Sequence, residues 1–199
     1  MTSEERREIR YQRRKAKRDE ARLKRSMACG DFDEVFSFRH LYLSAKKCCK
    51  GVYWKSSTQR YIGDLIPNVA LTLLSLKNGT FIHRGFHEFY IMERGKKRHI
   101  RSVHISERTV QKCLCDYCIV PIYSASFIYD NSASLKHRGM DFALRRMVYH
   151  LERHFRKHGL SGGILIYDFK SFFDDAPHAP LLREAERRLH DDRVRELHN

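Results

Sequence analysis

The sequence has no apolar run near the ~18 residues that a membrane-spanning helix requires. It also has no apolar signal core at its N-terminus, which is charged from Glu4 onward, so we expect a cytoplasmic protein. Acidic residues are scarce, because 24 Asp and Glu stand against 39 Lys and Arg, a net charge of +15. This imbalance predicts a polyanionic partner, most simply nucleic acid, with an acidic membrane surface as the alternative.

A second Cys/His pair is missing near the cluster formed by Cys113, Cys115 and Cys118. A structural zinc site needs about four ligands that converge from two arms of the chain. The apolar pattern around the cluster instead predicts a buried helix, in which cysteine behaves as a small hydrophobic residue. We therefore expect packing rather than zinc binding at these three thiols.

The residues that are present suffice for a folded core, since 42% of the 199 are hydrophobic and 12% are aromatic. This length corresponds to one domain, or to one domain and part of another. Residues 1–28 differ from the rest, with eleven basic and five acidic residues and few large apolar ones. Both a long solvated helix and a disordered basic arm fit that composition, and either could serve solubility or phosphate binding.

Hydrophobic periodicity predicts an amphipathic helix from about Ser37 and further helical structure over 55–77, with Trp54 in the core. Residues 80–105 place β-forming residues on both sides of Gly95, which is typical of a hairpin with a basic turn. A helix capped by Ser106 should follow. After a polar, basic loop, another helix should end at Gly159.

The stretch "GGILIYDFKSFFDDAPHAPLL" predicts a strand over 163–167, a turn, and then a helix. Asp174 or Asp175 is the expected N-cap of that helix, with Pro177 in its first turn. Asp168 follows the strand directly, as a carboxylate in otherwise apolar surroundings. It could cap the next helix, or it could be tolerated there because a divalent cation neutralises it.

Three motifs follow one another along the chain. "GKKRHIRSVHISERTVQKCL" joins a basic turn to an Arg-x-Val-Gln helix start, and "DNSASLKHRGMDFALRRM" joins a basic loop of small residues to a helix. "IYDFKSFFDDAPH" places Asp168, Phe173 and His178 after an apolar stretch. The first two resemble fingers motifs of reverse transcriptases, and the third resembles their first catalytic motif. The resemblance is particularly to bacterial enzymes related to those of retrons, diversity-generating retroelements, group II introns and antiviral defence.

The resemblance implies an RNA-directed DNA polymerase, a nucleotidyltransferase with an α+β right-hand polymerase fold. Only part of that fold is expected here: mostly helical fingers with a basic β-hairpin, plus the first strand and helix of the palm. On this interpretation residues 1–30 form a basic helical or disordered arm. Residues 31–159 form the fingers, and residues 160–199 form the start of the palm.

The resemblance also implies roles for individual residues. Asp168 would be the catalytic carboxylate and a ligand of Mg²⁺ or Mn²⁺, with the Phe169 carbonyl as a second ligand. Lys96 and Arg98 stand where the family contacts the triphosphate of a deoxynucleoside triphosphate, and Phe173 stands where it excludes a 2′-hydroxyl. Candidate contacts to the phosphates of the RNA template and primer are Arg101, Lys136 and Arg138.

The sequence departs from the family in two places. Leu135 stands where the family usually shows a basic residue, and the family shows a glycine near the position of His137. Residues 1–199 contain no Tyr-x-Asp-Asp hairpin, which carries the family's second carboxylate pair. We therefore expect the chain alone to be inactive and to need the missing palm and thumb. The alternative is a non-catalytic RNA-binding protein derived from a split or degenerate polymerase.

Overall fold

The computed structural model describes residues 1–169 and 172–197, except for the side chains of Phe173 and Asp174. The described residues form α-helices and one two-stranded sheet, which confirms the α+β class. The helices are α1 (Ser3–Cys29), α2 (Phe32–Val35), α3 (Phe38–Cys49), α4 (Ser56–Gly63), α5 (Leu65–Lys77), α6 (Ile105–Leu114), α7 (Val120–Tyr123), α8 (Met140–His158), α9 (Phe172–Asp175), α10 (His178–Arg188) and α11 (Asp192–Glu196). A π-helical turn, Cys115–Ile119, joins α6 to α7, and a 3₁₀ turn, Ser124–Ser126, follows α7.

The basic arm is a helix, which decides between the two conformations that its composition allowed. Thr2 and Glu5 form a capping box at its start: the Glu5 N–H donates to the Thr2 hydroxyl at 3.2 Å, and the Thr2 N–H donates to the Glu5 carboxylate at 2.7 Å. Every Lys and Arg from Arg6 to Arg18 is exposed. None of the described helices is long and apolar enough to cross a membrane.

Other helix boundaries confirm some predictions and correct others. Helix α3 begins next to Ser37 as expected, and the Ser37 hydroxyl is its cap. Helix α8 ends at Gly159 as expected, where a φ of 61° suits glycine. The cap of α6 is His104 rather than Ser106, because the His104 imidazole accepts the Ser106 N–H at 3.3 Å. The helical stretch over 55–77 is interrupted at Asp64, which separates α4 from α5.

The predicted cap of the last long helix is wrong. Asp175 belongs to the short helix α9, and α10 begins only at His178, one residue after Pro177. Proline lacks an N–H and disfavours the α conformation in the residue before it. The Ala176-Pro177 pair therefore separates the two helices instead of lying inside one.

The sheet is the predicted basic hairpin. Strands β1 (His87–Glu93) and β2 (Lys96–Ser102) pair in antiparallel register, with Glu93 opposite Lys96 at the turn and His87 opposite Ser102 at the open end. The two turn residues, Arg94 and Gly95, have φ angles of 51° and 77°. Positive φ at both central residues is what a type I′ hairpin turn requires, and its twist matches that of the strands.

The chain divides into two units, and the first comprises Met1–Ile122 and Ala185–Asn199. Its core forms where α3 packs against α5 and α6. The fully buried apolar side chains of this core include Phe36, Leu41, Val69, Cys113, Cys118, Leu189 and Val194. The expected domain boundaries at residues 30 and 159 follow sequence motifs and stay a prediction.

Residues 189–194 complete this core from the far end of the chain. The Asp191 carboxylate accepts the Phe32 N–H at 2.9 Å, at the start of the short helix α2, whose N-cap is Asp31. The Arg193 guanidinium bonds to Asp33 at 2.9 Å and lies 4.4 Å from the centroid of the Phe32 ring. Its hydrogen bond to Asp33, and then its charge, hold the pKa of that carboxyl below the usual value.

The second unit, Tyr123–Glu184, has no buried side chain among its described residues. The predicted strand over 163–167 is not formed, and its apolar residues are exposed, from 72% at Ile164 to 84% at Ile166. A strand needs a hydrogen-bonded neighbour, and the described part of the chain supplies none to this segment. Asp168 is consequently exposed and does not lie in apolar surroundings.

The cysteine cluster packs largely as expected. Cys113 and Cys118 are buried, Cys115 is half-buried, and the Cys113 thiol donates to the Val35 carbonyl at 3.1 Å. Burial raises the pKa of Cys113 and of Cys118 to about 12. Both thiols are therefore neutral at pH 7, as expected of cysteines that serve as small hydrophobic residues.

Candidate nucleic-acid interface

The hairpin presents two chemically different faces because alternate residues of a strand point to opposite sides. Directly paired residues share a face, so the register places Lys96 and Arg98 together on one side with Phe89, Ile91 and Glu93. The register places Lys97 and Arg101 on the opposite side. The residues proposed to contact a triphosphate are thus brought together, whereas Arg101 faces away from them.

On the first face, Arg98 is held by a carboxylate of its own hairpin. Its Nε lies 2.9 Å from a Glu93 carboxylate oxygen, and both side chains are about half exposed. Exposed pairs of this kind contribute only about 0–1 kcal/mol. A phosphate can therefore displace Glu93 at small cost. Lys96 has no ion-pair partner among the residues that the structure describes.

On the second face, charged and aromatic side chains interact with one another. The Lys97 ammonium lies 4.3 Å from the Tyr90 ring centroid, and the His99 ring stacks on Tyr90 at 4.8 Å. The Glu88 carboxylate pairs with Arg101 at 3.4 Å and with His99 at 3.1 Å. This face carries as many permanent cations as the first, which makes it a matched reference for experiments.

The loop before α8 holds the other two predicted phosphate contacts in different environments. Lys136 is exposed. Arg138 is half-buried, and its Nη1 donates to the Tyr129 carbonyl at 2.6 Å and to the Asn131 carbonyl at 3.0 Å. Its guanidinium also lies about 5 Å from the Phe142 ring. Arg138 therefore organises this loop, and its contact with a template stays a prediction.

A second arginine supports the same loop from α8. Arg146 bonds to Asp130, whose other carboxylate oxygen lies 2.7 Å from His150 Nε2. The hydrogen bond from Arg146, and then that from His150, hold the pKa of Asp130 below its usual value. The Arg146 guanidinium also packs over the rings of Tyr129 and Tyr149, at 4.9 and 4.6 Å. Cations and aromatic rings, rather than a buried core, hold this loop.

One loop residue bears on a departure from the family pattern. His137 has a φ of 60°, which lies in the left-handed region that glycine adopts without strain. The resemblance puts a glycine near this position. The backbone conformation that such a glycine would favour is present here although the residue is histidine.

The predicted catalytic centre lies in the second unit, whereas Lys96 and Arg98 belong to the first. Asp168 and the ring of Phe169 are exposed in a segment without regular secondary structure. The described residues contain no group of three or more His, Cys, Asp or Glu side chains that could together hold a metal ion. The Phe173 side chain, predicted to exclude a 2′-hydroxyl, lies outside the described residues.

Sequence reasoning missed an aromatic and basic surface in the first unit. Trp54, predicted to lie in the core, is 75% exposed and lines an open cleft together with Phe86 and Arg108. The turn over 50–55 contains Trp54, and hydrophobicity alone assigned it to the interior. Its neighbours Lys50 and Lys55 were the available signal for an exposed position.

Comparisons with models of known protein families and with curated proteins found no match to this chain. The resemblance to reverse transcriptases therefore depends on the motifs quoted above.

Proposed function

We propose that this chain is the fingers and first palm portion of an RNA-directed DNA polymerase. The observation that carries the proposal is the hairpin register, which puts Lys96 and Arg98 side by side on one face of a basic turn. That is the arrangement the family's triphosphate contacts require. The left-handed backbone at His137, in the next motif, also supports the proposal.

In this function the chain's own residues bind and orient the reactants. Transfer of a nucleotide depends chiefly on positioning and on neutralising phosphate charge. Arg98 offers a two-pronged donor to a phosphate, and Lys96 adds a mobile point charge. The exposed basic residues of α1 and the loop residue Lys136 would hold the template and primer through their phosphates.

Asp168 fits the metal-binding role chemically. Mg²⁺ prefers hard oxygen ligands and commonly takes one or two carboxylates together with substrate phosphates. The Asp168 carboxylate is exposed and, within the described part of the chain, forms no ion pair, so it is available as a ligand beside the Phe169 carbonyl. A bound divalent ion would stabilise the charge that develops on the reacting oxygens.

The second candidate is a non-catalytic RNA-binding protein derived from such a polymerase. It is favoured by the exposed basic residues of α1 and of the hairpin, which account for RNA binding without any chemistry at Asp168. Both candidates use the same basic surfaces. They differ in whether Asp168 takes part in chemistry.

The first prediction, common to both candidates, is that the chain binds RNA and primer–template duplex with little sequence preference. Each phosphate neutralised by Lys or Arg releases a counterion, so affinity should fall about 10³–10⁵-fold between 50 and 200 mM salt if 6–10 phosphates are contacted. Fluorescence anisotropy with several unrelated RNA sequences measures this dependence. An affinity that does not change with salt would refute an electrostatic interface.

The second prediction tests the triphosphate face. The double variant Lys96→Ala/Arg98→Ala should lose most binding of a deoxynucleoside triphosphate with Mg²⁺, because both predicted contacts are removed. Lys97→Ala/Arg101→Ala removes the same charge from the opposite face and serves as the matched control. Isothermal titration calorimetry compares the two variants. Equal losses in both would show that net charge, and not the Lys96–Arg98 face, binds the triphosphate.

A further inference from the structure

An open cleft of about 800 Å³ lies within the first unit, beside the open end of the hairpin. Three segments form its walls: the turn that leads into α4, the residues just before β1, and the junction between β2 and α6. Its volume is within the ~300–1,000 Å³ that is typical of ligand pockets. None of the predicted site residues lines it.

The cleft exposes large aromatic rings. Trp54 is 75% exposed and Phe86 is 57% exposed, although such side chains usually gain stability from burial. Phe89 adds a third ring to the wall. Exposed aromatic rings on the wall of one concave surface are typical of sites on which nucleic-acid bases stack.

The charge of the cleft is uniformly positive. Lys55, Arg84 and Arg108 line it together with two histidines, and its lining residues include no Asp or Glu. The Lys55 ammonium lies 5.3 Å from the centroid of the Trp54 ring, so a cation accompanies that stacking surface. A ligand for this site therefore combines flat aromatic groups with negative charge.

A buried carboxylate fixes one wall of the cleft. The Glu107 side chain is almost completely buried, and it accepts the Arg84 N–H at 2.7 Å and pairs with His83 Nε2 at 3.1 Å. The His83 ring in turn contacts the Phe86 ring edge-on at 5.1 Å. These contacts hold the segment that carries Arg84 and Phe86 in place before a ligand arrives, which reduces the entropic cost of binding.

We propose that this cleft binds unpaired nucleotides of a single-stranded nucleic acid. Bases would stack on Trp54 and Phe86, while Lys55, Arg84 and Arg108 would contact the flanking phosphates. A duplex does not fit this role because its bases are already stacked on one another inside the helix. This proposal rests on the proposed function in one respect, that the negatively charged partner of the chain is a nucleic acid. It adds that the nucleic acid is unpaired where it binds this cleft.

Trp54 is the single tryptophan of the chain, so its fluorescence reports on the cleft alone. Titration with a short single-stranded RNA should quench this fluorescence to saturation, whereas an RNA duplex of equal charge should bind without comparable quenching. The same titration with single-stranded DNA shows whether the cleft distinguishes RNA from DNA. Equal binding of both polymers indicates stacking and phosphate contacts only, and preference for RNA adds a contact to the 2′-hydroxyl.

The variants Trp54→Ala and Phe86→Ala should each weaken single-strand binding about 5- to 100-fold, the effect of removing one base-stacking ring. Tyr53→Ala is the matched control, because Tyr53 is 52% exposed beside Trp54 but does not line the cleft. Its affinity should equal that of the unaltered chain. Circular dichroism confirms that each variant is folded.

Three outcomes would overturn the proposal. The first is unchanged Trp54 fluorescence at saturating RNA. The second is equal quenching by an RNA duplex or by poly-glutamate, which has negative charge but no bases. The third is a loss of single-strand affinity in Trp54→Ala that is no greater than the loss in Tyr53→Ala. If the chain still binds nucleic acid in a salt-dependent manner, such results would refute the cleft and leave the proposed function intact. Absence of any nucleic-acid binding would refute both.

Discussion

Leu189→Ala should lower the free energy of unfolding by about 2–5 kcal/mol, the range for truncating a buried leucine to alanine. Leu189 is almost completely buried, and Ile122 and Ser26, from distant parts of the sequence, line the same cavity wall. Removing its side chain leaves a void that rigid helices cannot fill. Chemical denaturation followed by circular dichroism measures the change.

Leu181→Ala is the matched control for this experiment, because Leu181 is also a leucine, eight residues before Leu189, but is 62% exposed. Its truncation should change the free energy of unfolding by no more than about 0.5 kcal/mol. Similar effects of the two substitutions would contradict the placement of residues 185–197 in the first unit.

The elements that the sequence predicted correctly are those encoded by neighbouring residues. The hairpin, the start of α3 at Ser37 and the end of α8 at Gly159 depend on turn and cap chemistry within a few positions. The boundaries that failed lay close to the predicted ones: α6 is capped by His104, two residues before Ser106, and α10 begins at His178, three residues after Asp175. The break between α4 and α5 at Asp64 was not predicted. Local signals therefore predicted which elements exist better than where they end.

The features that could not be predicted depend on distant residues. The bond from Asp191 to the Phe32 N–H and the packing of Arg193 on Phe32 join positions about 160 residues apart, and no periodicity reports such contacts. The strand over 163–167 failed for a related reason. Its composition is that of a buried strand, but pairing needs a neighbour that the sequence pattern itself does not specify.

In the candidate site, too, local features were predictable and features that depend on distant residues were not. Alternation along β1 and β2 was enough to place Lys96 and Arg98 on one face once the turn at Gly95 was recognised. The hydrogen bonds of Arg138 to two loop carbonyls were not predictable, because they depend on how the loop folds. The exposure of Trp54 did have a sequence signal in the neighbouring Lys50 and Lys55, but its hydrophobicity alone assigned it to the core. The aromatic and basic cleft was missed since its walls come from three separate segments.

The last prediction concerns Asp168. The 199-residue chain alone should incorporate no deoxynucleotide on a primed RNA template, because two metal ions need more carboxylates than Asp168 provides and no Tyr-x-Asp-Asp is present. In an enzyme completed by a segment that carries this motif, Asp168→Ala should reduce incorporation at least about 10²–10³-fold. That is the effect of losing one preorganised group that stabilises the transition state.

Primer extension with purified protein measures both parts of this prediction. Asp175→Ala is the matched control, since Asp175 is also an exposed carboxylate and follows Asp168 by seven residues. It should leave incorporation by the completed enzyme nearly unchanged. Activity of the 199-residue chain that Asp168→Ala abolishes would mean that a second carboxylate, such as Asp174 or Asp175, already completes the site. If the completed enzyme keeps its activity with Asp168→Ala and loses it with Asp175→Ala, the catalytic carboxylate is Asp175 of α9 and not Asp168.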